Sequence, residues 1–181
     1  MANRRRDRSQ TKRGPVVKKR RGWFVGGFVV LVAVAVVVWL AWRSTAELPG
    51  RAVPTQGNVH LVSPSDPHLP YNSVPPTSGP HLPYIAPWGI HTTPIAKELQ
   101  VHNLEDGGVM VQYSCDCPEL VAKLRGVVER YRDHVILAPY PGLPQKIALT
   151  AWGRIDSFDE FDEARIVRFI TAYSGVDHHK R

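Results

Sequence analysis

A continuous run of apolar residues from Trp23 to Trp42 is the longest hydrophobic pattern in the chain, and it contains no charged residue. Its twenty residues would span about 30 Å as a helix, at roughly 1.5 Å per residue, which matches the hydrocarbon core of a bilayer. Tryptophans lie at both ends of the run, where interfacial anchors are expected. The pattern predicts a transmembrane helix over residues 23–42.

The residues before this run are strongly basic, and they predict its orientation. Residues 1–22 carry ten Lys or Arg side chains against one acid, Asp7. Because basic flanks are retained in the cytoplasm, we expect a cytoplasmic tail and export of everything after Arg43. The run is also longer than the h-region of a cleaved signal peptide, which has about 7–15 residues. We therefore favour a retained signal-anchor in the cell membrane over cleavage near Ser44–Ala46.

The formal net charge of +7 belongs to this tail. Ten basic residues and one acidic residue give the tail +9, and subtracting this from +7 leaves −2 for residues 23–181. The tail is well suited to contact anionic lipid at the cytoplasmic surface. The expected partners are therefore the bilayer and its anionic headgroups, and nucleic acid is not expected.

Proline dominates the next stretch. Eleven prolines lie between Glu47 and Pro94, and each fixes its own φ and biases the preceding residue towards extended geometry, so no helix is expected. The stretch also holds aromatic residues and histidines that a spacer does not need. We predict a linker over residues 43–65 and an ordered strap over residues 66–95 on the surface of the exported domain.

Regular secondary structure is predicted after Glu98. Val109, Val111 and Tyr113 alternate with Met110 and Gln112, which is typical of a strand. Apolar residues then recur at helical spacing from Leu120 to Tyr131. Asp116 is the expected N-cap of this helix, and Pro118 lies in its first turn, where proline is tolerated.

Two more strands and a final helix complete the predicted domain. The strands are His134–Ala138 and Lys146–Trp152, and a capping box that begins at Ser157 opens a helix that ends at Gly175. The order strand, helix, strand, strand, helix predicts a small α/β (or α+β) domain over residues 66–177. Because a helical crossover joins the first two strands, we expect them to be parallel.

Cys115 and Cys117 are the two cysteines of the chain, and they lie where the first predicted strand meets its helix. On the oxidising, exported side such thiols should be disulfide-bonded, metal-bound or redox-active. The helix N-terminus favours the thiolate form at Cys117. The spacing suits a local disulfide, thiol–disulfide exchange, or two thiolates on a soft metal such as Cu(I) or Zn(II), and all three alternatives stay open.

Histidines could complete such a metal site. His81 ends the rigid segment Pro75–His81, which would fix the direction of its imidazole. His102 precedes Asp106 by four residues, so the two share a face if this segment is helical. Imidazole and thiolate together satisfy a tetrahedral site for copper or zinc. The predicted metal ligands are Cys115, Cys117, His81, His102 and Asp106.

Sequence motifs of known catalysts are absent from the chain. It has no Gly-x-Ser-x-Gly elbow, His-Glu-x-x-His pair, phosphate-binding glycine loop or Cys-x-x-Cys-His haem site. A loop histidine more commonly hydrogen-bonds to pin a turn, and we expect no specific role for the terminal His178 and His179. The sequence therefore predicts no catalytic residue and favours a protein that is not an enzyme.

Four short segments resemble those of one bacterial family: Pro75–His81 (PPTSGPH), Pro87–Gly89 (PWG), Val101–Gly108 (VHNLEDGG) and Thr150–Arg154 (TAWGR). The chain is similar to an uncharacterised family of single-span, membrane-anchored, extracytoplasmic proteins with a domain of unknown function. The resemblance covers roughly residues 66–175 and implies an anchored envelope protein without an established activity. Family members usually have histidine where this chain has Asp106, and their cysteine pairs tend to be more widely spaced.

Three functional hypotheses follow. The first is a domain that binds copper or zinc at the outer membrane surface, and we favour it. The second is a thiol–disulfide redox protein in which Cys117 attacks or resolves a partner's disulfide. The third is a non-enzymatic interaction module, whose proline strap docks another envelope protein.

Overall fold

The computed structural model describes residues 31–39 and 48–179. The chain divides into two units, Met1–Glu47 and Leu48–Arg181. In the first unit, residues 31–39 are helical. No helix within the described residues is long and apolar enough to cross a membrane. The transmembrane helix predicted over residues 23–42 lies mostly outside the described residues, as does the whole basic tail.

The second unit is a mixed α+β structure built on one six-stranded sheet. The strands are β1 (Arg51–Ala52), β2 (Gly89–Ile90), β3 (Val109–Tyr113), β4 (Val135–Pro139), β5 (Ile147–Ala151) and β6 (Arg154–Phe158). The helices are α1 (Lys97–Glu105), α2 (Pro118–Val128) and α3 (Glu163–Tyr173). The strand order is β1-β6-β5-β3-β4-β2. Strand β4 pairs in parallel with β2 and β3, and the other pairs are antiparallel.

The crossover predicted from the sequence is confirmed. Strands β3 and β4 are parallel, with Val109 opposite Val135, and α2 connects them. Pro118 lies in the first turn of α2, as predicted. Cys117 rather than Asp116 is the N-cap, and it makes no side-chain capping hydrogen bond.

The predicted capping box at Ser157 is wrong. Ser157 lies in β6, where it pairs with Ala148 of β5, so its backbone is used by the sheet. Helix α3 begins later, at Glu163, and the Asp162 side chain accepts a hydrogen bond from the Arg165 backbone N–H at 2.9 Å. An aspartate at an extended residue supplies the same kind of cap, so the serine is free to extend the antiparallel pair.

Helices cover both faces of the sheet, and successive side chains of β3 point to opposite faces. Val109 and Val111 belong to a core cluster with the buried faces of α2 and α3. Met110 belongs to a second cluster with Leu104 of α1, and this cluster is covered by Trp88 and Trp152. Burying a residue such as Leu104 contributes roughly 1.5–3 kcal/mol. The second cluster fixes α1 against the sheet.

The proline-rich stretch packs along this unit. Strand β1 pairs with β6, and Val53 and Leu61 are buried. Residue His60 forms an isolated parallel bridge with His81. Residues 48–65, the described part of the predicted linker, therefore belong to the folded unit that begins at Leu48.

Candidate metal centre

The C-terminal end of α1 turns sharply into β3, and two glycines make this turn possible. Gly107 has φ of 79°, and a Cβ there would lie 2.6 Å from the backbone nitrogen of Val176. A Cβ on Gly108 would lie 2.4 Å from the Asn103 carbonyl oxygen. Only glycine avoids both the left-handed strain and these contacts. The C-terminal segment can therefore cross directly over the end of α1.

Asn103 fixes the rotation of α1. Its Oδ1 accepts a hydrogen bond from the Ala86 backbone N–H, and its Nδ2 donates to the Ala86 carbonyl, both at 2.9 Å. The neighbouring Val101 and Leu104 are fully buried. Positions 102, 105 and 106 lie on one remaining face, since residues three or four apart on a helix are neighbours.

The Pro75–His81 segment is held just as firmly. The Thr77 carbonyl accepts a hydrogen bond from the Gly153 N–H at 3.0 Å, and Ser78 Oγ accepts one from the Gln56 N–H at 3.0 Å. The His81 N–H donates to the Val59 carbonyl at 3.0 Å. This pairing brings the His60 and His81 rings to a centroid separation of 5.0 Å.

These elements bring together four side chains, which we name the His/Glu cluster: His60, His81, His102 and Glu105. One potential ligand atom from each lies within 4.8 Å of all the others. His81 and Glu105 are fully buried, and His102 is buried apart from 8% of its surface. The ring of His102 lies 5.0 Å from that of His81 and 5.3 Å from that of His60, between centroids. The cluster has the composition and convergence of a metal site.

The contact between His81 and Glu105 is chemically incomplete. His81 Nδ1 lies 2.7 Å from the Gly79 carbonyl oxygen, which can only accept, so this nitrogen carries a proton. His81 Nε2 lies 2.9 Å from Glu105 Oε2, yet the two atoms do not meet hydrogen-bond geometry. In the neutral ring with this tautomer, Nε2 is an acceptor facing a carboxylate oxygen. A positive charge must therefore lie on or between these atoms, either as a second ring proton or as a cation.

Glu105 depends on histidine for its charge compensation. Its Oε1 accepts a hydrogen bond from Asn58 Nδ2 at 2.9 Å. Its Oε2 has ion-pair contacts only with histidines among the described residues, at 2.9 Å from His81, 3.4 Å from His179 and 3.9 Å from His60. A buried carboxylate without a compensating charge costs several kcal/mol. The burial of Glu105 therefore requires a positive charge beside its carboxylate, on a protonated histidine or on a bound cation.

A second donor set adjoins the first and consists of His102, Asp106 and His179. Asp106 Oδ1 lies 3.5 Å from His179 Nε2 and 3.9 Å from His102 Nε2. His179 is oriented by Asp177, whose Oδ1 lies 2.8 Å from His179 Nδ1. A carboxylate on the far nitrogen of an imidazole is a common support for a metal ligand.

The pKa values of the two imidazoles in this set are shifted in opposite directions. The hydrogen bond that the His179 ring donates to Asp177 raises the pKa of His179, although burial opposes the increase. Burial lowers the pKa of His102, and the nearby Asp106 offsets part of this decrease. His102 is therefore a neutral imidazole near pH 7, which is the form that binds metal.

The segments singled out in the sequence surround this site. The Trp152 ring lies edge-on to His81 at 6.2 Å and stacks on His178 at 6.0 Å, between centroids. Trp88 contacts Gly108, where a Cβ would lie 2.8 Å from its ring. Tryptophan and glycine in these segments therefore shape the wall of the site and contribute none of its donors.

The predicted ligand set is divided by the structure. His81, His102 and Asp106 lie together at the start of β3. Cys115 and Cys117 follow its other end, beyond a five-residue strand that covers about 16 Å at roughly 3.3 Å per residue. They form a disulfide with each other and border an open cleft with Tyr113 and Val121. A site in which both thiolates join His81 and His102 is not formed, and thiol–disulfide exchange stays a prediction.

Three donors were not included in the predicted set. Glu105 is three residues from His102, so helical spacing could have indicated it. His60 lies in the predicted linker, and only its bridge to His81 reveals its role. His179 was expected to have no specific role, because nothing in the local sequence shows that the C-terminal segment folds back onto α1.

The spacing of the donor atoms in the His/Glu cluster is close to that of the ligands around a tetrahedral ion. Zinc with nitrogen or oxygen ligands at about 2.0–2.1 Å places neighbouring donors roughly 3.3 Å apart. Glu105 Oε2 lies 2.9 Å from His81 Nε2 and 3.9 Å from His60 Nε2, which brackets this value. Imidazole and carboxylate donors suit Zn(II) and Cu(II), whereas Cu(I) prefers sulfur. The residues fit a divalent ion of this class.

A family model described as "Protein of unknown function (DUF3105)" matches residues 63–180. No curated protein and no solved structure matches the chain. The matched range includes every donor described above except His60.

Proposed function

The chain belongs to the DUF3105 family of proteins of unknown function, and we propose that it binds one divalent transition-metal ion, zinc or copper(II), in the His/Glu cluster. The observation that supports this proposal most strongly is the pair of acceptor atoms, His81 Nε2 and Glu105 Oε2, at 2.9 Å in a fully buried place. A metal ion satisfies both atoms at once. The ion would be held by the three histidines and the glutamate.

A proton on His81 is the competing explanation. It would neutralise Glu105, but it would leave His60 and His102 without a reason to converge on the same carboxylate. The Nδ1 atom of His102 is also buried without a hydrogen-bond partner. A divalent ion accounts for the buried charge and for the convergence of the three rings, so it is the better explanation.

The cellular setting of this site is part of the proposal. The apolar run at residues 23–42 would anchor the protein in the cell membrane, with the basic tail in the cytoplasm and the metal site outside. The length of the run and the charge of the tail support this topology. The protein would then serve to hold or pass on a metal ion at the membrane surface. Proteolysis of intact cells should remove residues after 43 and spare the tail.

Metal content of the full-length protein tests the proposal. We expect the protein loaded with zinc or copper(II), and freed of excess metal, to retain the ion. Glu105→Gln should lower the metal affinity by about 100-fold or more, because loss of a residue that merely supports a ligand already costs about 10–100-fold. His68→Ala is a matched control, because His68 is also paired with a glutamate, Glu98, outside the cluster. If Glu105→Gln binds zinc and copper(II) as tightly as the parent protein does, the proposal is contradicted.

The cysteine pair supplies a second control. Because Cys115 and Cys117 are bonded to each other at the far end of β3, a double serine variant should bind metal with the affinity of the parent protein. Loss of metal in this variant would mean that the thiolates are ligands, as the sequence predicted, and that the His/Glu cluster is not the site.

A further inference from the structure

The potential donors at the end of α1 are too widely spread for one ion. They fall into the His/Glu cluster and the second donor set, and in each set all ligand atoms lie within 4.8 Å of one another. Within the described part of the chain, no set of that spacing contains all six residues. A single six-coordinate ion at about 2.1 Å from its ligands requires every pair of donors to lie within roughly 4.2 Å. One ion cannot use all six donors in this arrangement.

Glu105 lies at the junction of the two sets. Its Oε2 lies 2.9 Å from His81 Nε2 in the first set and 3.4 Å from His179 Nε2 in the second. Its backbone carbonyl also accepts a hydrogen bond from the His178 N–H at 2.9 Å. Glu105 therefore contacts the His/Glu cluster through its carboxylate, and through its backbone carbonyl it holds the C-terminal segment that carries His179.

The C-terminal segment is built onto this site by specific contacts. The Gly175 N–H donates to the Gly107 carbonyl at 2.8 Å, and Gly107 has no Cβ that would exclude Val176. Asp177 then holds both the backbone N–H and the Nδ1 of His179, at 2.9 Å and 2.8 Å. These three hydrogen bonds, together with the one from the His178 N–H to the Glu105 carbonyl, position His179 beside Asp106.

The second set is open to solvent at two of its three members, whereas in the His/Glu cluster only His60, whose side chain is 48% exposed, reaches the surface. The side chains of Asp106 and His179 are 31% and 37% exposed, whereas that of Glu105 is 1% exposed. An ion held here would have few protein ligands and would keep open positions for water or for an exchangeable anion. Its affinity should therefore be lower than that of the buried site.

We infer that the protein binds a second divalent ion beside the first, held by Asp106 and His179 and sharing Glu105 Oε2 with the buried ion. The inference rests on the proposed function, because the buried ion is one of the two. Metal pairs bridged in this way are about 3.5–4 Å apart. The outer ion would be the exchangeable one, and an anionic ligand would reach the pair from its exposed side.

Zinc titration of the metal-free, full-length protein tests the inference. We expect two equivalents per chain, the second at least about 10-fold weaker. An Asp106→Asn/His179→Ala variant should bind one equivalent with the affinity of the tighter site, and His68→Ala should still bind two. One equivalent in the parent protein, whether or not the double variant weakens it, overturns the inference and leaves the proposed function standing. No bound zinc overturns both.

Copper(II) provides a readout of distance. Loaded with two equivalents, the parent protein should show an electron paramagnetic resonance spectrum of coupled ions, with a half-field transition. The Asp106→Asn/His179→Ala variant should show one isolated copper(II) with nitrogen ligands. Two uncoupled copper(II) signals in the parent protein mean that the second ion binds elsewhere, and they contradict a shared Glu105.

Discussion

The two ends of β3 carry the two groups of residues that the sequence marked for chemistry, and they differ in how far their polar atoms are satisfied. At the start of the strand, His81 and Glu105 are fully buried, and two hydrogen-bond acceptors, His81 Nε2 and Glu105 Oε2, face each other. At its end, Cys115 and Cys117 are half-buried and bonded to each other beside an open cleft. The difference teaches that the convergence of buried side chains whose polar atoms lack hydrogen-bond partners is a stronger reason to propose a metal site than residue type alone.

The largest expected effect concerns the scaffold of the buried end. Asn103→Ala leaves the N–H and the carbonyl of Ala86 without their partners, and each unpaired buried group costs about 1–3 kcal/mol. We expect the free energy of unfolding of the metal-free protein to fall by roughly 2–4 kcal/mol, measured by urea denaturation.

Asn72→Ala is the matched control for Asn103→Ala. Asn72 also hydrogen-bonds a backbone carbonyl, that of Pro54, at 2.7 Å, but the contact is exposed, so water can replace it. We expect a change within about 1 kcal/mol. Equal losses in the two variants would show that the Asn103 contacts do not position α1 more firmly than a surface contact does.

The next prediction distinguishes the residues at the two ends of β3 by their effect on stabilisation by zinc. Zinc at 100 times its dissociation constant should stabilise the parent protein by about 2.7 kcal/mol, because it binds only the folded state. This increment should vanish in Glu105→Gln. The Cys115→Ser/Cys117→Ser variant should lose roughly 1–2 kcal/mol, since its disulfide closes a very short loop, but it should keep the zinc increment. Thermal unfolding with and without zinc measures both quantities.

The smallest effect concerns the protonation of His102. Because burial lowers its pKa, His102 in the metal-free folded protein should titrate below the ordinary histidine value of 6.5. The folded state then binds fewer protons than the unfolded state just below pH 6.5. His102 therefore contributes stability above pH 6.5 that is lost as the pH falls towards its folded pKa. Ring chemical shifts recorded against pH measure the pKa of His102, and a pKa above 6.5 contradicts this account.

Local patterns predicted the central part of the fold. The alternation over Val109–Tyr113 and the helical spacing after Pro118 correspond to β3 and α2, and the parallel pairing of β3 with β4 follows from the helical crossover that joins them. The same approach misplaced the start of α3, because Ser157 could cap a helix or extend a strand. Pairing with Ala148 decides between these choices, and the pairing is not a local property.

The candidate site was predictable only in part. His81, His102 and Asp106 stood out because rigid or helical segments fix the direction of their side chains, and the structure places His102 with His81 in one donor set and with Asp106 in the adjoining one. The cysteines stood out for their chemistry alone, and a five-residue strand separates them from the histidines. Nothing local marked His60 or His179, since each reaches the site through contacts with residues that are distant in the sequence.

The sequence by itself determined the elements whose signals are local: an apolar run flanked by basic residues, the β3–α2–β4 crossover, and the glycines that follow Glu105. The tertiary structure alone decided which polar side chains share a buried volume. His60, Glu105 and His179 meet because a bridge at His81, the turn at Gly107 and the returning C-terminal segment close on one point. Such convergence depends on long-range packing, which leaves no period or spacing in the chain.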